Sequence, residues 1–343
     1  MSRVVLNSLR GGLDDAFSLD IGPEGPAGVD DVVIALEAAP INNGDLLFAI
    51  GAFSVHPQLP AAMGAEGVGR IVETGSHVDP ELVGRRVLIL PTFGCGTWAT
   101  RTVVPARNVI PVSEHADVLQ LAMLSLPATA YALLNDFVHL RPGDWVGFNL
   151  ANSAVGHYLI GLARRAGIKT LAVVRRESAV SAVRQLGADR VVLGGDGLEQ
   201  RVAEALGGDR LRVLFEGTGD PGEVAQLVPA VEDNGSVIAF AAVTGKPPAL
   251  PLADLIYRGI FLRGFFILNW ISDTPRERLE RVYGELSELV EQRAIGTVVE
   301  ATYPLDQYQK AIRHAEKAAR TGKVLFTSNG APAAPLRPPA GSG

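Results

Sequence analysis

Apolar positions change their spacing about a third of the way along the chain. Up to residue 120 they fall in short runs cut by Gly, Pro and Asp. VDDVVIALEAAPI (29–41), GVGRIVETGS (67–76) and GRRVLILPTF (84–93) have strand length and strand composition. Helical periodicity is weak before residues 117–138. From residue 145 the texture alternates. WVGFNL (145–150), TLAVVR (170–175), RVVL (190–193), RVLFEGTG (212–219) and GSVIAFA (235–241) read as strands. ANSAVGHYLIGLARRAG (151–167), ESAVSAVRQLGA (177–188), LEQRVAEALG (198–207) and EVAQLVPAVE (223–232) read as helices between them. Strands separated by helices predict βαβ units and a parallel, doubly wound sheet over residues 122–268. TPRERLERVYGELSELVEQRAI (274–295) predicts a long amphipathic helix, and KVLFTS (323–328) a last strand. The Pro-, Ala- and Gly-rich end, 331–343, predicts a disordered tail.

Composition narrows the function classes. With 47% hydrophobic and 20% charged residues in 343, the chain has material for a sizeable core. Its net charge of −6 advertises no basic face, which argues against nucleic acid or an anionic membrane as partner. A single cysteine, Cys95, permits no internal disulfide and no thiolate-rich zinc site. The first residues contain no apolar leader, and no apolar run is long enough to span a bilayer. A cytoplasmic location is the expectation.

The first strand-to-helix turn of a doubly wound sheet is where a pyrophosphate would sit, on the free N–H groups of a helix start. That turn here is Leu150-Ala151-Asn152-Ser153-Ala154-Val155-Gly156. It has one glycine and serves tight helix–strand packing as readily as ligand binding. The end of the next strand adds information. A site for NAD places an acidic residue there, whereas this chain has Arg175-Arg176, a pair suited to a 2′-phosphate. The pattern predicts NADPH as cofactor.

At this point the chain resembles the medium-chain dehydrogenase/reductase superfamily, and within it the zinc-independent trans-2-enoyl thioester reductases. The resemblance runs over roughly 30–328 and rests on APINNGDLLFAIGAF, PQLPAAMGAEGVGRIVETGSHV, GCGTWAT, LPATAYALLNDFVHLRPGDWV, ANSAVG, VVRRE, LGAD and LRGFFILNW. It implies an α/β fold: a GroES-like partial β-barrel (1–121 and 269–330) around a Rossmann-type domain (122–268), with cofactor and substrate meeting in the cleft. It also implies a homodimer built largely by the nucleotide domain. Position by position it implies that Asn152, Ser153, Ala154, Val155 and Gly156 cradle the cofactor phosphates. Arg175 and Arg176 fall at the adenosine phosphate. Phe240, Ala241, Ala242 and Val243 face the nicotinamide half, Phe265, Phe266 and Ile267 line the cofactor, and Lys323 and Thr129 are further contacts.

Departures from the pattern touch the chemistry. The reductases carry a tyrosine where this chain has Phe53, which offers no proton and no donor. An asparagine position holds Leu126, a further arginine position holds Glu177, and the glycine pair of the nicotinamide loop is Ala241-Ala242. Zinc-dependent members use Cys and His ligands, but the matching positions hold Asn42 and Ala65, so no metal site is predicted. Glu66 beside them reads as structural. His56, three residues after Phe53, is either an alternative acid or an exposed loop histidine before Pro57. Asn42 is a candidate hydrogen-bond donor to a developing oxyanion.

The expected activity is hydride transfer from NADPH to an activated double bond, in a 2-enoyl thioester or related α,β-unsaturated carbonyl. The substrate is a small molecule, carried on CoA or a carrier protein, or free. Loss of the tyrosine keeps two alternatives open: a quinone or carbonyl reductase, and an NADPH-binding protein without turnover.

Overall fold

A computed structural model describes residues 1–9, 13–23, 25–241, 243–317 and 320–328. The tail 331–343 and Ala242 lie outside the described residues. Eight strands come first: β1 (Ser2–Leu6), β2 (Phe17–Ile21), β3 (Asp31–Pro40), β4 (Ala61–Ala62), β5 (Gly67–Thr74), β6 (Arg86–Ile89), β7 (Arg101–Pro105) and β8 (Val109–Pro111). Next come β9 (Trp145–Phe148), β10 (Lys169–Val174), β11 (Arg190–Leu193), β12 (Leu211–Glu216), β13 (Val231–Ala239) and β14 (Phe261–Gly264). β15 (Val299–Tyr303) and β16 (Lys323–Thr327) close the series. The chain divides into two compact units, Met1–Ser125 with Ile271–Gly343, and Leu126–Trp270.

In the unit built from both chain ends, the larger sheet runs β15-β16-β3-β5-β6-β8, with β7 also pairing β3. β3 has β5, β7 and β16 as partners, so its burial is nearly continuous and the strand alternation is blurred. Val32, Ile34, Ile71, Val87, Ile89 and Val104 form one core beside it. The C-terminal strand returns antiparallel, with Leu325 opposite Pro40 and Phe326 opposite Ala39. A second core gathers Ile41, Phe48, Met63, Trp98 and Phe326. Trp98 is fully buried there, and its indole N–H donates to the Pro40 carbonyl at 3.0 Å.

The Leu126–Trp270 unit carries a six-stranded sheet in the order β11-β10-β9-β12-β13-β14, parallel throughout. Counted within the unit this is the 3-2-1-4-5-6 order of a doubly wound sheet. The order reverses between β9 and β12, so the ligand crevice lies outside their carboxyl ends. One expected element is corrected. The helix predicted over 223–232 is Pro221–Leu227, followed by a 3-10 turn at Val228–Ala230. Pro229 supplies no N–H to continue the helix, and β13 begins at Val231 rather than Gly235. Val231 is fully buried opposite Leu211. Among the described residues, no helix is long and apolar enough to cross a membrane.

Candidate active site

The turn after β9 is built to expose backbone. Leu150 adopts a positive φ of 53°, a strained conformation for a residue with a side chain. Ser153 is the N-cap of the helix Ala154–Arg165, and its hydroxyl accepts from the Gly156 N–H at 3.1 Å. A Cβ on Gly156 would stand 2.5 Å from the Ala151 carbonyl oxygen, so only glycine lets the helix pack this close to the turn. The first helical turn therefore faces the crevice with N–H groups and the positive dipole end. The Ala151 N–H donates to the Val173 carbonyl of β10, which draws the turn toward the strand that ends at Arg175 and Arg176. Both arginines are exposed. A small-residue turn, a helix start and two cations at the neighbouring strand end fit a dinucleotide with a 2′-phosphate. His157 lies one residue on, and burial holds its imidazole at about 4, hence neutral.

Two further groups of predicted contacts follow strands β13 and β14 of the same sheet. Phe240 and Ala241 follow β13, and a Cβ on Gly217 would meet Phe240 Cζ at 2.9 Å and Leu150 Cδ1 at 2.8 Å. The loop is clamped to the end of β12 by the Phe240 N–H on Glu216 O and the Thr244 N–H on Thr218 O. Val243 is exposed at 49%. Phe265, Phe266 and Ile267 follow β14. Phe265 and Phe266 line a cavity of about 430 Å³ with Phe137, Gly264, Asn269 and Trp270. Phe137 and Phe265 meet edge to face at 5.8 Å, and the Trp270 indole donates to Asp136 at 2.6 Å. Thr129 is buried on the helix Ser125–Asn135.

Beneath the turn lies a polar network that sequence reasoning missed. Asn149 Nδ2 donates to Glu216 Oε1 at 3.0 Å and to Glu223 Oε1 at 2.8 Å, while Asn149 Oδ1 accepts from the Gly217 N–H. Glu216 Oε1 also takes the N–H groups of Thr218 and Gly219. Glu216 and Asn149 are buried. Burial pushes the Glu223 carboxyl above the usual carboxylate range, against hydrogen bonds from Asn149 and Thr218. The available signal was a polar residue inside an otherwise apolar strand run, Asn149 in WVGFNL and Glu216 in RVLFEGTG.

In the other unit, Asn42 and Lys323 meet: Lys323 Nζ donates to Asn42 Oδ1. Asn42 Nδ2 donates to Glu66 Oε1 at 2.6 Å, and Glu66 also accepts from the Ser125 hydroxyl (2.6 Å) and N–H (3.1 Å). Asp45, 1% exposed, accepts from the Asn42 and Ala65 N–H groups, at 2.8 and 3.0 Å. Burial pushes Asp45 up to about 7 and raises Glu66, and it brings Lys323 down to about 8. The Tyr283 hydroxyl, also buried, has no hydrogen-bond partner among the described residues. Phe53 is half-buried, packed on Phe93 at 5.2 Å, with its ring 3.7 Å from where a Gly44 side chain would begin. His56 is exposed.

Zinc does not fit this donor set. Among the described residues no three His, Cys, Asp or Glu side chains stand close enough to hold a metal ion. Ala65 offers no donor, and the Asn42 oxygen already faces an ammonium.

Comparison with known proteins places the molecule. Residues 28–114 match the family model of the alcohol dehydrogenase GroES-like domain, and 154–322 match that of zinc-binding dehydrogenases. The mitochondrial enoyl-acyl-carrier-protein reductase of Xenopus tropicalis is 30% identical over 314 residues, 87% of each chain. The solved Escherichia coli quinone oxidoreductase complexed with NADPH superposes with a TM-score of 0.85 at 21% identity, covering 95% of this chain and 100% of that one. A mutant enoyl thioester reductase from Candida tropicalis gives 0.81 at 19% identity over the same shares. The two structures share the fold. The chain belongs to the medium-chain dehydrogenase/reductase superfamily, in the family of the enoyl-acyl-carrier-protein reductases. It is an oxidoreductase.

Proposed function

We propose that the chain uses NADPH to reduce the activated double bond of a 2-enoyl thioester or a related α,β-unsaturated carbonyl. The observation that carries this reading is the 150–156 turn at a helix start, with Arg175 and Arg176 at the neighbouring strand end. When bound, NADPH supplies a hydride. The backbone of Asn152–Gly156 holds its pyrophosphate, and Arg175 and Arg176 hold the 2′-phosphate. Phe240, Ala241 and Val243, with Phe265, Phe266 and Ile267, line the nicotinamide half and exclude water. Lys323 and Thr129 are the remaining contacts carried over from the family. The aromatic cavity beside Trp270 takes the apolar part of the acceptor. Reduction of the double bond would place developing charge on the substrate carbonyl oxygen, which hydrogen-bond donors would have to meet, and with Phe53 carrying no proton the α-carbon would take its proton from solvent. The Ala65 N–H is committed to Asp45, and the Asn42 amide is fixed between Glu66 and Lys323. Asn42 is thus held in one orientation, as a preorganised donor must be.

Phe53 favours a second reading. Its ring is packed among aromatic neighbours where the family carries a hydroxyl, which suits a quinone or other acceptor that needs no protein acid at this position. NADPH consumption against a panel of enoyl thioesters, free enones and quinones separates the two. Turnover of enoyl thioesters is expected. Turnover of quinones alone selects the second reading, and binding without any turnover removes both.

The same reading includes a homodimer joined through the nucleotide unit. Its support is an unusually apolar edge: Phe261 and Leu262 on the edge strand β14 are 58% and 44% exposed, and nearby Ile256 and Tyr257 are 61% and 84% exposed. Sedimentation would report a dimer of 36.2 kDa chains. The same reading includes a reducing compartment such as the cytoplasm, with which a single free cysteine, Cys95, is compatible.

A further inference from the structure

An acid, Glu223, stands near the end of β10, which leads into Arg175. Asp220 caps the helix Pro221–Leu227, accepting from the N–H groups of Gly222 and Glu223, and so fixes Glu223 in the first turn. Glu223 Oε1 accepts from Asn149 Nδ2 at 2.8 Å and Thr218 Oγ1 at 3.2 Å. Its Oε2 lies against Gly194, where a Cβ would stand 3.2 Å from that oxygen and 3.5 Å from the Val174 carbonyl. The Gly194 N–H donates to that same carbonyl at 2.8 Å, one residue before Arg175. The carboxylate therefore sits among the carboxyl ends of β9, β10, β11 and β12. Among the described residues Arg175 makes no hydrogen bond or ion pair, and its charge acts on Glu223 through space. Glu216, the other acid on Asn149, is fully buried, while Glu223 is half-buried.

We propose that Glu223 is a specificity-determining residue of the adenosine end of the cofactor site, restraining the preference that Arg175 and Arg176 give for a 2′-phosphate. This rests on the NADPH reading. Asn149 and Thr218 prevent the carboxylate from swinging away, so a phosphate entering beside Arg175 meets a fixed like charge. A ribose without the phosphate meets no such opposition. The residue comes from the first turn of a helix some fifty positions beyond the strand end where such determinants are sought (175 to 223).

Glu223→Gln removes the charge and keeps an oxygen for Asn149 and Thr218. The variant and the starting protein are titrated with NADPH and NADH, and with 2′,5′-ADP and 5′-AMP, which carry the adenosine end alone. The expected result is a rise of about three- to ten-fold in both phosphate-to-no-phosphate affinity ratios, with NADH and 5′-AMP binding nearly unchanged. Glu223→Ala, read by the same ratios, serves if the Gln variant is poorly folded. Unchanged ratios in a variant with a retained thermal midpoint overturn the inference, while loss of preference in Arg175→Ala leaves the NADPH reading standing. If the starting protein shows no phosphate preference and Arg175→Ala is silent, the NADPH reading fails and the inference falls with it.

Discussion

In the Leu126–Trp270 unit, the groups placed to meet a dinucleotide sit at consecutive strand ends, and most of the geometry is backbone. In the other unit, the polar cluster is made of side chains from distant parts of the chain: Lys323 reaches Asn42 across 281 positions, and Ser125 reaches Glu66 across 59. The first arrangement tolerates sequence change as long as residues stay small and the cap survives. The second depends on each named side chain, because two buried carboxylates share one ammonium. A backbone site is thus vulnerable to bulk, and a side-chain cluster to loss of charge balance.

The sharpest way to break this contrast is bulk in the turn. Gly156→Val places carbon against a backbone oxygen that cannot yield, so a loss of about 2–4 kcal/mol and a collapse of NADPH binding are expected. Thermal unfolding and cofactor fluorescence measure both. Normal stability and binding would show that the turn has slack. Charge balance in the other unit is probed next by Lys323→Met, which leaves Asn42 Oδ1 and the two acids without their cation. A loss of about 1–3 kcal/mol in denaturant unfolding is expected, discounted because Lys323 is only half-buried. Replacing Arg175 and Arg176 together with Ala should lower the NADPH-to-NADH affinity ratio at least ten-fold, about 1.4 kcal/mol, with no change in thermal midpoint.

A smaller effect is read in pH. Asp45 is pushed up to about 7 in the folded chain against an ordinary value of 3.8, so between those limits the folded form holds a proton that the unfolded form releases. Its contribution therefore makes stability fall as pH rises from about 4 to about 7. Asp45→Asn should flatten that part of the melting-temperature profile by several degrees, and an unaltered slope would remove Asp45 as its source. Lys323 acts in a separate window: with its folded value near 8 and an ordinary value of 10.5, it makes stability rise with pH between them. The smallest structural change is Phe53→Tyr, on a half-buried ring. Lower kcat/KM on the true acceptor is expected, because the added hydroxyl enters an aromatic cluster. A gain confined to enoyl thioesters would return the chain to the tyrosine-bearing mode.

Legibility followed the range of the interactions. The Ser153 cap, the Gly156 contact and the basic end of β10 are encoded within a few residues and could be read directly. The error at 223–232 arose because VAQLVPAVE has helical spacing while Pro229 and the pairing of Val231 with Leu211 dictate otherwise. Asn42 could be singled out, but not its bond to Lys323, and Asp45 and Ser125 carried no signal of their own. His56 lies near Phe53 in sequence and is exposed in the fold.

By itself, the sequence determined the alternation of strand and helix, the parallel sheet it requires, and the phosphate-ready turn at its first crossover. Each of these rests on periodicity or on conformational preferences within one turn of chain. Only the tertiary structure decided that Glu66, Asn42 and Lys323 form one cluster, and that Glu223 joins Asn149 near Arg175. Those contacts join residues far apart in the chain, and a charge acquires its role from what burial places beside it.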